Sequence, residues 1–233
     1  MMRARAAIEI TDLQRRAVNR FLNEETLKQE NIENITQKAL SGLSEDSRPE
    51  DIQKDWIINF FDKARLVSDV EMQQLWARVL AGEANQPSFC SKRTINVLAS
   101  MDKAEAELFR NFCTFVWDVQ GLTPLIFDTR HPIYNEAGVF FDTLQHLELT
   151  GVIKFDASGG FVRLEMPDEV VVRYFDRSYK IKTSPLYNNK FPLGNVVFTA
   201  PGQELALVSG SMPNPAFLKY VLEQWRSLEP SAA

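Results

Sequence analysis

The stretch Ser68–Thr94, "SDVEMQQLWARVLAGEANQPSFCSKRT", carries the clearest helix signal in the chain. Ser68 and Glu71 have the spacing of a capping box, in which each side chain bonds the backbone of the other. The apolar positions after them follow the i, i+3, i+4, i+7, i+8 spacing of a helix with one buried face. These positions are Met72, Leu75, Trp76, Val79 and Leu80. We therefore expect an amphipathic helix that packs into a core.

The second part of this stretch predicts a joint between two helices. Gly82 is a typical helix stop, and Pro87 prevents the helix from continuing. Ser88 or Ser91 then supplies the side chain that begins the next helix, which carries Ile95 and Leu98.

Further helices are predicted on both sides. A long polar helix runs from Thr11, which forms a capping box with Gln14, towards Leu40. Pro49 opens a second helix whose apolar residues recur every four positions: Ile52, Trp56, Phe60 and Ala64. Asp102 and Glu105 cap a last helix, which we expect to continue to Val119. The first 120 residues therefore read as an all-α domain.

From Gly121 onwards, β-branched runs, prolines and glycines predict a second domain, residues 121–233, of the α+β class. A helix over residues 136–149 precedes the strand "VIKF", and "DASGG" predicts a hairpin into "FVRLEM". This order resembles the end of a winged helix-turn-helix. Strands at "EVVVRYF", "SYKIK" and "NVVFT" and two closing helices, "PGQELALV" and "PAFLKYVLEQWRSL", complete an α+β fold with winged-helix-like elements.

Composition narrows the classes of function. The chain has 233 residues, 45% of them hydrophobic, and a formal net charge of −5, so no overall basic balance favours nucleic acid or anionic membranes. No apolar run has the length of a membrane span. Two cysteines without a CxxC pair fit a reducing compartment, which predicts a cytoplasmic location.

Lys92 and Arg93 form a candidate anion site. They lie in a first helical turn, where the helix dipole disfavours cations, so a negative partner is expected. That partner is either a carboxylate, from Glu83, Glu71 or an acid of the preceding helix, or a bound phosphate.

No catalytic or metal site is predicted. Cys90 precedes a helix start, which favours a thiolate, but Asn96 stands where a phosphatase loop has arginine. Cys90, Cys113, His131 and His146 match no zinc spacing. The acidic residues Glu45, Asp46, Glu50, Asp51 and Asp55 are expected at the start of the second helix rather than at a metal. We expect no cofactor.

The best nucleic-acid candidate is "VVRYFDRSYKIKTSPLYNNK", residues 171–190, in which cations alternate with aromatics. Cations on alternate strand residues share one face, as phosphate tracking needs, and aromatics stack on bases. The alternative is an amphipathic hairpin with its cations in solvent. The predicted recognition helix carries Asp142 and Glu148 and no Lys or Arg, which disfavours major-groove reading. The predicted binding residues are Arg173, Arg177, Lys180 and Lys182.

The stretches "SDVEMQQLWARVLAGEANQP" and "SKRT", at residues 68–87 and 91–94, resemble a bacterial family of uncharacterised proteins, domain of unknown function 2806. The resemblance runs from about Thr11 to "FTAPGQEL" at Phe198–Leu205. Family members have Pro-Gly-Ser-Phe-Ser before the basic pair, whereas here Phe89 and Cys90 stand before Ser91. The resemblance implies no activity, cofactor or catalytic residue.

Two functions are carried forward from the sequence. The first is a non-catalytic binding or regulatory protein that self-associates through its N-terminal helices as a homo-oligomer and contacts nucleic acid through residues 173–190. The second is a hydrolase whose carboxylates meet only in the fold. The absence of HExxH, GxSxG and Walker motifs favours a protein that is not an enzyme. A membrane partner is not expected, and the sequence identifies no small-molecule ligand.

Overall fold

A computed structural model describes residues 11–182 and 191–226. It is a mixed α+β structure in which helices come first and a helix-plus-sheet region follows. The helical region and the helix-plus-sheet region share one cluster of buried hydrophobic residues. The α+β class predicted from the sequence is confirmed.

Five helices form the first region. They are α1 (Asp12–Leu40), α2 (Lys54–Ala64), α3 (Val70–Asn85), α4 (Lys92–Ser100) and α5 (Lys103–Phe112). Both partners of the predicted capping boxes at Thr11 and Asp102 bond each other as expected. Pro49 opens only a short 3-10 helix, Pro49–Asp51, before α2.

Helix α3 differs from the prediction at both ends. Asp69, and not Ser68, caps it, because the Asp69 carboxylate accepts hydrogen bonds from the backbone N–H groups of Glu71 and Met72. The helix also continues past Gly82 to Asn85. Gly82 lies against the ring of Phe89, where a Cβ atom would come within 2.8 Å of a ring carbon. The glycine therefore serves close packing and does not end the helix.

Helix α5 is shorter than predicted. It ends at Phe112, a 3-10 turn covers Cys113–Phe115, and Val116–Asp118 form strand β1. Strand β2 (Leu122–Pro124) pairs antiparallel with β1. The apolar residues that suggested a longer helix lie in a strand instead, since Val116, Trp117 and Asp118 pair with Pro124, Thr123 and Leu122 across a turn. Residue 120 lies in that turn, and the division into two domains at this position stays a prediction.

The second region contains helices α6 (Pro132–Asn135), α7 (Phe141–Leu149), α8 (Ala200–Val208) and α9 (Pro215–Arg226). Its strands are β3 (Ile153–Phe155), β4 (Phe161–Arg163), β5 (Glu169–Tyr174), β6 (Arg177–Lys182), β7 (Phe191–Gly194) and β8 (Val196–Phe198). The predicted helix over residues 136–149 is thus shorter, since α7 begins at Phe141 after a turn at Gly138, which has φ 76°.

Strand pairing corrects the predicted hairpin. The sheet order is β2-β1-β5-β6, while β3 pairs with β8 and β4 pairs with β7. The residues 156–160 therefore connect two strands that pair with later partners, and the predicted β3–β4 hairpin is wrong. The winged-helix description, which relied on that hairpin, is unconfirmed.

One face of the four-stranded sheet is covered by aromatic residues. Trp117 of β1 stacks on Tyr174 of β5, with ring centroids 4.9 Å apart. Trp225 of α9 packs edge-on against Trp117 at 4.8 Å. The opposite face, called here the outer face, carries the residues on the alternate positions of β5 and β6.

Candidate anion and nucleic-acid sites

The loop after α3 is folded around a buried carboxylate. Glu83 is 1% exposed, and its two oxygens accept hydrogen bonds from the backbone N–H groups of Ser88, at 2.8 Å, and Cys90, at 2.9 Å. Ser88 has φ 70°, a left-handed conformation that turns the chain back towards α3. Glu83 therefore holds the loop and does not pair with Lys92.

A second carboxylate lies at the start of α4. Ser91 caps this helix, as predicted, through a bond from the Thr94 N–H to its hydroxyl oxygen. Glu204 of α8 accepts a hydrogen bond from the Ser91 N–H at 2.7 Å and from the Thr94 hydroxyl at 2.6 Å. A negative group at a helix N-terminus is stabilised by the exposed N–H groups and the dipole. Glu204 thus occupies the position where a bound phosphate was considered.

The basic pair itself has one carboxylate partner. The Lys92 ammonium lies 3.7 Å from Asp55 in the first turn of α2, and both side chains are largely exposed. Within residues 11–182 and 191–226, no ion pair involves Arg93. Asp55 was not among the expected partners, which were Glu83, Glu71 or an acid of the preceding helix, because it lies on α2, one helix further back. Anion binding by Lys92 and Arg93 stays a prediction.

Cys90 has the environment of a structural residue. It is 3% exposed, and burial, reinforced by the nearby charges of Glu204 and Glu83, raises the pKa of its thiol far above the usual range. Its backbone carbonyl accepts a 2.6 Å hydrogen bond from the indole of Trp56. A thiol kept neutral in this way is a poor nucleophile.

The other residues considered for a metal are located in separate contacts. His146 lies 2.8 Å from Glu105 of α5, and His131 accepts the Ile133 N–H at the start of α6. Cys113 is buried, and burial raises the pKa of its thiol. Within the described part of the chain, no three His, Cys, Asp or Glu side chains come together as a metal-ion site.

Most of the acidic run lies where it was predicted, although it forms no cap. Glu50 and Asp51 are in the first turn of the short 3-10 helix, and Asp55 is in the first turn of α2. Neither helix has a side-chain hydrogen bond at its cap. These acids lie at the surface near Arg48 and Lys92, with which Asp51 and Asp55 pair.

The predicted nucleic-acid residues divide between two faces of the sheet. In the β5–β6 ladder, directly paired residues share a face, and the pairs are Glu169 with Lys182, Val171 with Lys180, and Arg173 with Ser178. Arg173, Lys180 and Lys182 therefore lie together on the outer face. Arg177 pairs with Tyr174 and belongs to the other side, so the structure does not bring it together with them.

The outer face is less basic than its sequence suggests. The Arg173 guanidinium donates a 2.9 Å hydrogen bond to the carboxylate of Asp118 on β1, and Glu169 lies opposite Lys182. Among the described residues of this face, Lys180 is therefore the one cation with no acid directly across from it. Its partner across the ladder is Val171, an apolar residue that is 59% exposed.

Two of the aromatic residues proposed for base stacking, Tyr174 and Tyr179, face the core. Tyr174 is 2% exposed, its hydroxyl donates to the Thr114 carbonyl, and burial raises its pKa to about 12. Tyr179 packs near Trp117, with centroids 5.7 Å apart. Phe175, in the turn between the two strands, is 36% exposed. Tyr187 and Lys190 lie outside the described residues.

A cleft of about 520 Å³ runs along one edge of the outer face. Its walls come from the sheet and from the end of α8, and they include Val116, Asp118, Arg173, Phe175, Leu207 and Ser211. The volume lies in the range of small-molecule sites. Its carboxylate, Asp118, is the one already paired with Arg173.

A group of exposed apolar side chains lies on α1. Every residue from Thr11 to Asn23 is exposed, so this part of the helix, called here the α1 arm, extends for about 18 Å beyond the body at 1.5 Å per residue. Several of its apolar side chains are more than half exposed: Leu13 69%, Val18 51%, Phe21 59% and Leu22 57%. Single exposed apolar residues are ordinary, but a group on one helix marks a contact surface.

The C-terminal part of α1 is anchored to the body. Ile35 and Ala39 are buried against the core. The Asn31 amide donates to the Arg65 carbonyl, and the Gln73 amide donates to Asn31. Lys38 donates to the same Gln73, which is 3% exposed. The arm is therefore an extension of a firmly held helix.

Sequence reasoning missed Glu204 and Arg78. The Arg78 guanidinium donates to the Val208 carbonyl at 2.6 Å and to the Ser209 carbonyl at 3.0 Å, at the C-terminus of α8. Both residues join α8 to the first region. No local pattern signals either contact, because the partners lie more than a hundred residues apart.

One protein-family model, described as a protein of unknown function (DUF2806), matches residues 15–222. The resemblance noted from the sequence is thereby confirmed, and it extends beyond Leu205. Neither the curated proteins nor the solved structures include a match to the chain. No helix in the described part of the chain has the length and apolar character that a membrane crossing requires.

Proposed function

Because the chain belongs to the DUF2806 family of proteins of unknown function, we propose its function from geometry: a non-catalytic binding protein that self-associates through the α1 arm. The exposure of Leu13 and Phe21 carries this proposal. Water disfavours contiguous apolar side chains, and burying one of them completely contributes about 1.5 to 3 kcal/mol. A cytoplasmic location remains part of the proposal.

The arm's own energetics support a partner. An isolated helix of this length is marginal in water unless an amphipathic face packs on something. The arm has no tertiary contact over Thr11–Asn23 in the described residues that would cover its apolar side chains. A contact with another molecule supplies the missing burial.

The test is the mass of the full chain by light scattering over a range of concentrations, compared with the double variant Leu13→Glu, Phe21→Glu. We expect the wild-type protein to have a mass greater than that of one chain and the double variant to have the mass of a monomer. Leu40→Glu is the matched control, since Leu40 is 62% exposed on the same helix but outside the arm. A wild-type protein that stays monomeric at every concentration would refute the proposal.

Contact with nucleic acid through the outer face is a second proposed activity. The observation that favours it is the common exposure of Arg173, Lys180 and Lys182 on one open surface. Cations in that arrangement attract phosphates through a salt-dependent, sequence-independent interaction. Residues 183–190, which were part of the predicted site, lie outside the described residues.

The hydrolase alternative has less support. Hydrolysis by carboxylates needs two of them directed at one open cleft. Glu83 and Glu204 instead accept hydrogen bonds from the loop backbone, and Asp118 in the outer-face cleft is paired with Arg173. These contacts favour binding as the function.

A further inference from the structure

The α1 arm continues the same helix face that packs into the body. Eighteen residues are five complete turns at 3.6 residues per turn. Ala17 is eighteen residues before the buried Ile35, and Phe21 is eighteen residues before the buried Ala39. The buried side chains in the C-terminal part of α1 and the exposed side chains of Ala17 and Phe21 therefore point in the same direction around the helix axis.

Positive and negative charges are unevenly distributed along α1. The arm carries three arginines, Arg15, Arg16 and Arg20, against one acid, Asp12. The next turns carry Glu24, Glu25, Glu30 and Glu33 against Lys28. Basic residues near a helix N-terminus oppose the dipole, which increases the benefit of an acidic surface beside them.

From these two observations we infer that the occupant of the arm is the α1 helix of a second copy, running antiparallel. This inference rests on the proposed self-association and adds its partner surface and direction. An antiparallel pair places the basic part of each helix beside the acidic part of the other. A parallel pair would place three arginines beside three arginines, which is unfavourable.

The apolar residues fit the same direction. A crossing centred at Arg20 places Leu13 opposite Leu27 of the second copy and Arg16 opposite Glu24. Leu13 and Leu27 are 69% and 61% exposed. They are fourteen residues apart, or about 40° around an ideal helix, so both lie on one side of α1. In this register Ala17 lies opposite Asn23 and Phe21 opposite Asn19, and the two Arg20 side chains, each paired with Glu24 of its own helix, meet at the crossing.

The resulting contact is closed. Because the same surface is used by both copies, the pair has two-fold symmetry and does not propagate into a filament. We therefore expect a dimer and not an open series of larger species.

The direction is tested by cross-linking in the full chain. Leu13→Cys and Leu27→Cys proteins, one of them carrying an affinity tag that alters its size, are mixed and oxidised mildly, and disulfides are read on a non-reducing gel. Wild type is the control, since Cys90 and Cys113 are both buried. We expect the mixed disulfide as the main product, with little linkage of either variant to itself.

Each other outcome overturns the inference. Linkage of Leu13→Cys to itself indicates a parallel pair. If no disulfide forms in a sample that light scattering shows to be dimeric, the two chains contact each other at another surface, and the proposed self-association still holds. A monomeric sample removes the proposed self-association as well, so the two failures are distinguishable.

Charge reversal provides a second test of the antiparallel arrangement. Arg15, Arg16 and Arg20 are changed to Glu in one protein, and Glu24, Glu25 and Glu30 to Lys in another. Each protein alone is expected to dimerise about tenfold more weakly or worse, and their mixture to regain the wild-type affinity. Equal affinities for the two separate proteins, the mixture and the wild type would contradict the inference.

Discussion

Glu204 of α8 accepts a 2.6 Å hydrogen bond from the hydroxyl of Thr94, a buried residue in the first turn of α4. The same carboxylate oxygen accepts the Ser91 N–H. Helix α4 of the first region and helix α8 of the second are thereby joined by a polar contact.

Removing this carboxylate is expected to destabilise the protein. Glu204→Ala leaves the Thr94 hydroxyl and the Ser91 N–H without their partner, which should lower the free energy of unfolding by about 1 to 3 kcal/mol. Urea denaturation measures the change. Glu204→Gln keeps an acceptor oxygen and should lose less.

Gln203→Ala is the matched control for Glu204, since Gln203 is exposed on the same helix. We expect it to remain within about 0.5 kcal/mol of wild type. A loss for Gln203→Ala as large as that for Glu204→Ala would show that α8 itself, and not the carboxylate contact, sets the stability.

Arg78 should contribute through the geometry of its guanidinium. Its two hydrogen bonds reach successive carbonyl groups at the end of α8, where carbonyls lack helical partners. Arg78→Ala should reduce the free energy of unfolding by about 2 kcal/mol. Arg78→Lys should recover only part of this, because an ammonium group cannot reproduce the fork.

The control for Arg78 is Arg110→Ala. Arg110 is exposed on α5 and forms no ion pair within the described residues. Burial lowers the pKa of Arg78, and the positive charge of Arg110 lowers it further. Removing it should leave stability unchanged or slightly higher. If Arg78→Lys were as stable as wild type, the paired carbonyl contact would not matter.

The two buried cysteines should make stability fall in alkaline solution. Burial raises the pKa of both thiols in the folded state, whereas an unfolded thiol titrates near about 8.5. Below that pH both states are protonated and nothing is lost. Above it only the unfolded state releases protons, so each thiol should remove about 1.4 kcal/mol of stability per pH unit.

Urea denaturation between pH 7 and pH 10 tests this for wild type, Cys90→Ala and Cys113→Ala. Each variant should be less stable at pH 7, because it leaves a small cavity, yet should show a shallower decline above pH 9. An identical decline in all three proteins would mean that other groups, such as lysines and tyrosines, account for it.

Nucleic-acid binding, if it uses the outer face, should depend on Lys180 and Lys182. The double variant Lys180→Ala, Lys182→Ala should weaken retention of a single-stranded oligonucleotide at low salt and flatten its salt dependence. Fluorescence anisotropy over a salt series measures both effects.

Arg177→Ala is the matched control, since Arg177 has the same charge and exposure but pairs with Tyr174 on the other side of the sheet. It should bind like wild type. Absence of any anisotropy change for the wild-type protein with DNA or RNA at low salt would exclude this activity.

The parts of the fold that sequence predicted are those with a local cause. The capping boxes at Thr11 and Asp102 and the apolar period of α3 are each determined within a few turns, and the structure has them. The exposure of Leu13 and Phe21 on α1 could not be predicted, because it depends on what the rest of the chain covers.

The errors have non-local causes. The "DASGG" sequence has the composition of a hairpin turn, but β3 and β4 pair with β8 and β7, whose paired residues lie 28 to 45 positions further along. Likewise, the negative partner at the start of α4 was sought among nearby acids, and Glu204 comes from a hundred and thirteen residues beyond Ser91. Contacts between residues so far apart in the sequence are determined by tertiary packing.

The contact between Trp117 and Trp225 has a consequence for biosynthesis. Strand β1 is synthesised before α9, and the helix that covers the Trp117 indole is made on the order of a hundred residues later. At typical elongation rates of about 5 to 20 residues per second, this interval lasts roughly 5 to 20 seconds. Throughout that time the aromatic face of the nascent sheet lacks its cover, which makes it a natural surface for a chaperone to protect.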